Sequence, residues 1–256
     1  MTPNELTILY HDGPCIVALK PAGLLTQAPP GIDSMEVRVK DWIRQREGKT
    51  GNVYLGIPHR LDRPVSGAMV FARHVRAARK LSDQFERRTV RKVYWACVSG
   101  VVEPAEGKWT DWLRKIAGQP RSIVAAQAEP EAREAALVYR RLGVFAWGSW
   151  LEIELLTGRN HQIRVQASSR GHPVLGDTLY GSIEPFGPAY DDLRDQTIAL
   201  HGRRLEFEHP MSREPVAITA PLPAAWRALG LPIAADDFFV PPENGVPPEM
   251  NAKIRE

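Results

Sequence analysis

The stretch HRLDRPVSGAMVFA, residues 59–72, joins a charged loop to an apolar run. Pro64 and Gly67 interrupt the charged part, and they favour an ordered loop over a helix. The run Ala68–Ala72 is short and apolar, which predicts a buried strand. The sequence therefore predicts a charged loop that leads directly into a core strand.

Regular elements extend to both sides of this stretch. Residues 75–88 predict an amphipathic helix, because apolar side chains recur on one side of it and cations on the other. The other predicted elements are a hairpin over 7–19, helices over 34–46 and 160–169, and strands over 90–98, 135–142, 150–156, 197–207 and 216–219. Because strands outnumber helices without alternating regularly with them, the predicted fold class is α+β, with a mixed, largely antiparallel sheet and flanking helices.

Composition divides the chain into a globular part and a tail. A chain of 256 residues can bury roughly three-quarters of its unfolded surface without a disulfide or a metal. Residues 1–228 are predicted to form one domain, and the Pro-rich residues 229–256 are predicted to form an extended or disordered C-terminal tail. Residues 115–132 are polar and rich in alanine, which favours a surface excursion.

Cysteine content and hydropathy narrow the class of protein. Cys15 and Cys97 lie in apolar runs without metal-ligand spacing, which is typical of core residues in a reducing cytoplasm. No run of about 18 apolar residues occurs, so no membrane-spanning helix is predicted. No basic stretch followed by an apolar one opens the sequence, and we therefore expect no signal peptide and a cytoplasmic protein.

Charge is distributed unevenly along the chain. Ten lysines and arginines lie between Arg60 and Lys92 against three acidic residues, whereas residues 183–256 carry twelve acidic residues against seven basic ones. A basic centre favours a surface that binds a polyanion. A solvated helix surface gives the same pattern, so charge alone leaves nucleic-acid binding open.

The charged loop places Asp62 between Arg60 and Arg63. Flanking cations favour the ionised carboxylate, which is the form that a nucleophile or an electrostatic stabiliser needs. A structural salt bridge within the loop would use the same residues. The pattern by itself therefore leaves a catalytic and a structural interpretation open.

A second charged segment, LTGRNHQIRV, covers residues 156–165. Its Thr-Gly turn opens a predicted helix, whose first N–H groups suit a phosphate or a carboxylate. His161 and Arg164 are three residues apart and so share one helical face. From that face Arg164 could reach a buried carboxylate, although a His-x-x-Arg pair is common by chance.

Six strings, in this order, resemble the successive motifs of the RluA-type pseudouridine synthases: KPAGL (20–24), HRLDRPVSG (59–67), RKVYWACVSG (91–100), TGRNHQIRV (157–165), GHPVLGDTLYG (171–181) and ALHGRRLEFEHP (199–210). The resemblance runs from about residue 7 to about residue 220. HRLDR followed by TGRxHQIR is a highly specific combination. The resemblance implies an eight-stranded mixed sheet with helices, and an isomerase that converts uridine in structured RNA to pseudouridine.

The resemblance also implies catalytic roles. Asp62 matches the family's essential aspartate, which acts on a flipped uridine by covalent attack or by removing a ribose proton to give a glycal. Tyr94 matches a tyrosine that stacks on the detached uracil and helps to remove the proton from carbon 5. Arg164 matches the arginine that pairs with the aspartate, and Arg60 matches one that enters the stack vacated by the flipped base.

Further residues of the same motifs are expected to contact the substrate or the loops that hold it. With Arg60, this substrate-binding set comprises Lys20, Arg63, Arg159 and His161. For Lys20 and Arg159, a solvated surface role fits the sequence as well.

No cofactor is expected. The sequence contains no HExxH, CxxC, GxGxxG or Walker-type pattern, and the implied isomerisation involves no redox change. The expected partner is structured RNA, a tRNA and/or rRNA stem-loop, without a membrane or an obligate protein partner. Only about six residues precede the first strand, so the small RNA-binding domain that opens larger family members is expected to be missing.

Two other functions use the same scaffold or the same residue types. A non-catalytic RNA-binding module would not require the combination of Asp62, Tyr94 and Arg164. A nucleosidase that hydrolyses a glycosidic bond usually needs a pair of carboxylates, and the motifs around Asp62 and Arg164 supply no second acidic residue. Free uracil released from RNA would distinguish hydrolysis from isomerisation.

Overall fold

The apolar runs of the sequence become strands in the computed structural model, which describes residues 6–239. The strands are β1 (Thr7–Asp12), β2 (Cys15–Lys20), β3 (Ser66–Ala72), β4 (Arg91–Ser99), β5 (Glu106–Lys115), β6 (Ser122–Ala125), β7 (Arg133–Phe145), β8 (Gly148–Leu155), β9 (Leu200–Glu208) and β10 (Pro215–Thr219). The helices are α1 (Met35–Glu47), α2 (Val75–Glu86), α3 (Gln162–Ser168) and the 3-10 turns Thr178–Tyr180, Leu193–Asp195, Ala224–Leu229 and Ala235–Asp237. Within the described range, no helix has the length and apolar character that a membrane span needs.

Backbone contacts divide the described chain into two units. The first unit comprises residues 6–91, 202–223 and 234–239. The second unit comprises residues 92–201 and 224–233. The predicted fold class, a mixed and largely antiparallel sheet with flanking helices, is confirmed.

In the first unit, β1, β2, β3 and β9 are neighbours in that order, and β10 pairs with β9. The β1–β2 hairpin forms as predicted, with Gly13 at φ 48° in its turn. Strands β2 and β3 are antiparallel, and their register places Lys20 opposite Gly67. The end of β2 and the start of β3 therefore bring the KPAGL and HRLDRPVSG segments together.

Helix α2 supplies apolar side chains to the core of the first unit. Ala77 and Leu81 are fully buried and join a cluster with residues of β2, β3, β9 and β10. Ala78 and Phe85 pack at the margin of the same cluster. The predicted amphipathic pattern thus fixes which side of α2 faces the protein.

In the second unit, the strand order is β4, β8, β7, β5 and β6. Each neighbouring pair in this order is antiparallel. Val165 of α3 is buried in a small cluster with Leu113, Ala135 and Tyr180. This cluster sets α3 close to the residues that follow it in the chain.

The sequence prediction missed one hairpin. Strands β5 and β6 raise the number of strands in the described residues to ten, two more than the resemblance implies. Strand β6 lies inside the segment expected to be a surface excursion, and its residues alternate only weakly between buried and exposed positions. Because the hairpin carries many polar side chains, apolar periodicity could not identify it.

The segment expected as a tail is packed in its described part. Phe238 is buried and forms a β-bridge with Leu222, while Asp237 pairs with Arg203. Residues 240–256, the rest of the predicted tail, lie outside the described residues. Apolar and charged anchors in residues 237–238 therefore hold this part of the chain against the first unit.

Gly67 allows two strands of the first unit to approach closely. Its φ of 142° is a conformation that residues with a side chain rarely adopt. A Cβ atom at this position would lie 2.5 Å from the backbone nitrogen of Gly202. Both the backbone conformation and the neighbouring strand therefore require glycine here.

We predict that Gly67→Ala lowers the free energy of unfolding by roughly 2–4 kcal/mol, because overpacking and backbone strain add. Gly51→Ala is the matched control, since a Cβ at Gly51 would meet no atom within 4 Å. Urea denaturation of both variants measures the difference. Equal stability of the two variants would contradict the proposed close approach.

Candidate active site

The loop that carries Asp62 is anchored on both sides. On its N-terminal side, the Thr26 hydroxyl donates to the Leu61 carbonyl at 2.9 Å and accepts from the Leu61 N–H at 3.3 Å. On its C-terminal side, the Val65 N–H donates to the Asp62 carbonyl at 3.1 Å. Leu61 and Val65 are buried, whereas Asp62 is partly buried. The anchors fix the backbone of Asp62 without covering its side chain completely.

Lys20 is fully buried beneath this loop. Its Nζ donates to the carbonyls of Val65 at 2.8 Å, Pro21 at 3.0 Å and Arg63 at 3.1 Å. Burial lowers the pKa of Lys20 to about 7, while the charge of Asp62 opposes this shift and that of Arg63 adds to it. The Lys20 side chain therefore ties Pro21 to the two residues Arg63 and Val65 that follow Asp62, and it interacts electrostatically with Asp62.

Arg63 and Arg60 differ in their surroundings. Arg63 donates from Nε to the Gly23 carbonyl at 2.8 Å, and the Gly23 N–H donates back to the Arg63 carbonyl at 2.8 Å. Arg60 is exposed. Of the substrate-binding residues expected in this segment, Lys20 and Arg63 thus tie the two loops together, whereas Arg60 faces solvent.

His59 connects the loop to its supporting elements. Its Nε2 accepts a hydrogen bond from the Val70 N–H of β3 at 3.0 Å, which requires this nitrogen to be unprotonated. Its ring stacks on Phe85 of α2, with 4.6 Å between the ring centroids. The residue just before Arg60 is therefore held by a strand and a helix of the same unit.

The second group of candidate residues surrounds the start of α3. His161 precedes the helix in a left-handed conformation, with φ 54°, and its Nδ1 lies 2.9 Å from the hydroxyl of Tyr180. Arg159 donates from Nε to the Glu134 carbonyl at 2.8 Å. Both side chains of the TGRNHQIR string therefore hold neighbouring segments of the second unit.

At the turn where the sequence predicts an anion site, two backbone amides are already hydrogen-bonded within the protein. The Arg159 N–H donates to the side-chain oxygen of Gln162, and the Thr157 N–H donates to the Ala136 carbonyl. Gln162 thus satisfies one amide of the turn and Ala136 another, and α3 begins at Gln162 rather than near residue 160. The prediction of free amides therefore does not hold for Thr157 and Arg159.

Arg164 forms a buried two-pronged ion pair with Asp177. Its Nε and Nη2 donate to the two carboxylate oxygens at 2.6 and 2.9 Å. The Arg164 side chain is 4% exposed and that of Asp177 is 0% exposed. The guanidinium also lies 4.9 Å from the centroid of the Tyr180 ring. One edge of the Arg164 fork is thus occupied by Asp177, and its face is covered by Tyr180.

Asp177 and Tyr180 are the site residues that the sequence prediction missed. The Tyr180 hydroxyl accepts from the Ser122 N–H at 2.9 Å, besides its contact with His161. The GDTLYG string, residues 176–181, was the available signal. This string supports the resemblance, but its residue types alone assign no role to Asp177 or Tyr180.

Tyr94 lies on β4, partly buried, and its register partner on β8 is Ile153. Lys92 precedes it by two residues and therefore points to the same face of the strand. A Cβ atom added to Gly158 would lie 3.4 Å from the Lys92 Nζ. The Thr-Gly turn thus approaches the face of β4 that carries Tyr94.

The structure therefore groups the predicted residues in two sets. Lys20, Asp62 and Arg63 meet in the first unit. Arg159, His161 and Arg164 meet around the start of α3 in the second unit. No cluster of three or more His, Cys, Asp or Glu side chains within residues 6–239 could hold a metal ion.

Comparisons with known proteins connect these residues to one family. Residues 14–169 match the family model described as RNA pseudouridylate synthase. Ribosomal large subunit pseudouridine synthase D of Xanthomonas campestris is 34% identical over 85% of this chain, which spans 66%, just under two thirds, of that protein. tRNA pseudouridine synthase C of Haemophilus influenzae is 31% identical over 88% of this chain and 96% of its own length.

A solved structure shares the fold. Human RNA pseudouridylate synthase domain containing 4 superposes with a TM-score of 0.71 at 24% identity, over 89% of this chain and 94% of the human chain. The region that matches the family model, residues 14–169, contains the Asp62 loop, Tyr94 and Arg164. The chain belongs to the RNA pseudouridylate synthase family.

Proposed function

We propose that this protein converts one or more uridines in tRNA and/or rRNA to pseudouridine, with Asp62 as the catalytic carboxylate. The observation that carries the proposal is the support of the Asp62 loop, which the buried Lys20 ammonium and the Thr26 hydroxyl hold at fixed points. A reacting group must be held close to its productive position for catalysis to be efficient.

The proposed reaction exchanges one bond to the ribose for another. The bond between N1 of uracil and C1′ of ribose breaks, the base rotates, and C5 bonds to C1′. The proton on C5 leaves, and N1 gains one, so atoms balance without an oxidant or reductant. Asp62 begins the reaction as a carboxylate, by covalent attack or by removing a ribose proton.

Tyr94 and Arg164 take the two further catalytic roles in this proposal. The Tyr94 ring stacks on the detached uracil, and its phenol helps to remove the proton from C5. Arg164 fixes the position and charge of Asp62, and its own guanidinium is oriented by Asp177. Asp177 and Tyr180 are thus positioning residues for Arg164.

Arg60 is the proposed contact to the duplex that the target base leaves. It is exposed, and His59 beside it is held by Val70 and Phe85. Extruding a paired base costs a few kcal/mol, which a guanidinium filling the vacated space offsets in part. Arg159 and His161 support the substrate indirectly, by shaping the turn before α3.

The proposed substrate class follows the names of the relatives. One is named for the ribosomal large subunit and another for tRNA. The common feature is a uridine in structured RNA, and we propose a tRNA and/or rRNA stem-loop as the partner. A non-catalytic RNA-binding role remains the second candidate, since it would use the same basic surface.

We predict that Asp62→Asn abolishes pseudouridine formation but leaves RNA affinity within about twofold, because the amide cannot act as a nucleophile or a base. Pseudouridine mapping of total RNA incubated with each protein measures the product. Matching circular dichroism spectra of the two proteins exclude misfolding. Undiminished product from Asp62→Asn would overturn the proposed function.

Asp177→Asn is predicted to lower the free energy of unfolding by about 3–5 kcal/mol, because it leaves the buried Arg164 guanidinium without its carboxylate. At a temperature where the variant is folded, kcat should fall at least roughly tenfold while KM for RNA stays nearly constant. Asp192→Asn is the control, since its pair with Arg194 is exposed. A fall in stability with unchanged kcat would assign Asp177 to folding alone.

The titration of Lys20 makes a third prediction. Because its pKa is about 7 in the folded protein and 10.5 is its ordinary value, the unfolded chain binds more protons between these pH values. The Lys20 contribution to stability therefore rises with pH from about 7 to 10, by up to about 1.4 kcal/mol per pH unit. Lys20→Met removes this titration.

The measurement compares urea denaturation of the wild type and Lys20→Met from pH 7 to pH 10. The wild-type stability minus the Lys20→Met stability should increase across this range. A difference that stays flat or decreases would show that Lys20 keeps its proton when buried.

A further inference from the structure

The outward side of α2 carries cations without acidic partners. They are Arg76, Arg79 and Lys80, followed at the end of the helix by Arg87 and Arg88. Within residues 6–239, none of these five side chains forms an ion pair. We call these five residues the α2 surface.

Helical spacing collects most of these cations on one stripe. Arg79 and Lys80 lie three and four residues after Arg76, and Arg87, at the C-terminal end of the helix, lies seven residues after Lys80, so each is close to the same stripe. Asp83 and Glu86 lie among them, so the α2 surface keeps a net charge of about three positive units after both carboxylates are counted. The apolar residues of α2 occupy the opposite side, in the core.

Some exposed arginines elsewhere on the protein are neutralised by a carboxylate. Arg140 is 63% exposed and pairs with Glu152, and Arg194 is 74% exposed and pairs with Asp192. The cations of α2 have Asp83 on the same helix but do not pair with it. The α2 surface therefore gathers five cations without an ion pair into one short segment, residues 76–88.

The inner side of α2 supports the Asp62 loop. A Cβ atom added to Gly56 would lie 2.4 Å from the Ala78 Cβ, so the chain approaches the helix more closely there than a side chain would permit. Three residues later, His59 stacks on Phe85. The loop that leads to Asp62 is therefore in direct contact with the helix that bears the unpaired cations.

We propose that the α2 surface is a docking site for the phosphodiester backbone of structured RNA, an inference that rests on the proposed function. Charge complementarity favours this occupant, since a duplex carries a phosphate charge about every 1.7 Å. A helix of 12 residues is about 18 Å long, and a duplex carries roughly ten phosphates, on both strands, over that length. Backbone contacts set the register of a bound duplex without reading its sequence.

Docking on α2 would thus orient the RNA relative to the Asp62 loop. Because the loop packs against the helix through Ala78 and Phe85, a stem held on the outer side of α2 has a defined relation to the residues carried on its inner side. The target uridine would be selected by the fit of the stem, and its conversion would depend on Asp62.

The test uses the full chain and a labelled RNA hairpin of about 30 nucleotides, because backbone contacts are independent of sequence. The variant is Arg76→Gln with Arg79→Gln. Its control is Arg140→Gln with Arg194→Gln, which removes the same number of exposed but paired cations. Fluorescence anisotropy gives Kd for each protein between 50 and 200 mM salt. If several phosphates are contacted, Kd should rise about 10-fold or more over this range of salt.

We expect the α2 variant to bind the hairpin at least roughly tenfold more weakly than the wild type, with the slope of log Kd against log salt reduced by about two. The control should keep the wild-type slope and an affinity within about twofold. An α2 variant that keeps the wild-type slope, or a control that weakens binding equally, would overturn the proposal.

The failure of each proposal gives a distinct result. Asp62→Asn should bind the hairpin with the wild-type slope, so product formation by this variant would remove the proposed function while leaving the α2 surface intact. An unchanged slope in the α2 variant would remove the surface while leaving catalysis by Asp62 intact. If the α2 variant instead loses only binding to polyglutamate, the occupant is an acidic protein and the RNA proposal is wrong.

Discussion

A buried ammonium group organises the loop on which the proposed chemistry depends. Lys20 has no exposed surface and gives its three N–H donors to the carbonyls of Pro21, Arg63 and Val65. Removing a charge from water is costly, and these carbonyls replace only part of the lost hydration, because burial still lowers the pKa of Lys20 to about 7. Because two of these carbonyls, those of Arg63 and Val65, follow Asp62 closely in the chain, the same bonds restrict the backbone on the C-terminal side of the carboxylate.

The second unit also contains a buried cation that is held by fixed partners. Arg164 is held from one edge by Asp177, and from its face by Tyr180, whose hydroxyl contacts His161 and Ser122. A buried pair of this kind is weak evidence for stability, because desolvation offsets much of its attraction. The pair instead fixes the orientation of the Arg164 guanidinium, since the two-pronged geometry permits only a narrow range of orientations.

Local sequence patterns predicted the elements but only part of the candidate site. The hairpin turn at Gly13 and the amphipathic pattern of α2 were sufficient because each is decided by neighbouring residues. Lys20 and Asp177 were underestimated because burial of a charged side chain depends on acceptors that only tertiary structure assembles. The β5–β6 hairpin was missed for a related reason, as its polar residues gain their pairing from β7 rather than from an apolar pattern of their own.

Two kinds of cation thus serve different purposes in this chain. Lys20 and Arg164 are buried and held by hydrogen bonds within the protein, which fixes the backbone and the side chains around them. Arg76 and Arg79 are exposed and lack carboxylate partners within residues 6–239, so their field extends into solvent, where salt screens it over about 8 Å at physiological ionic strength. Positioning a reacting group requires short, directional bonds, whereas attracting a polyanion requires charge that the protein has not neutralised. Helix α2 and the loop packed against it bring both requirements together, since His59 on Phe85 links the loop of Asp62 to the helix that carries the free charge.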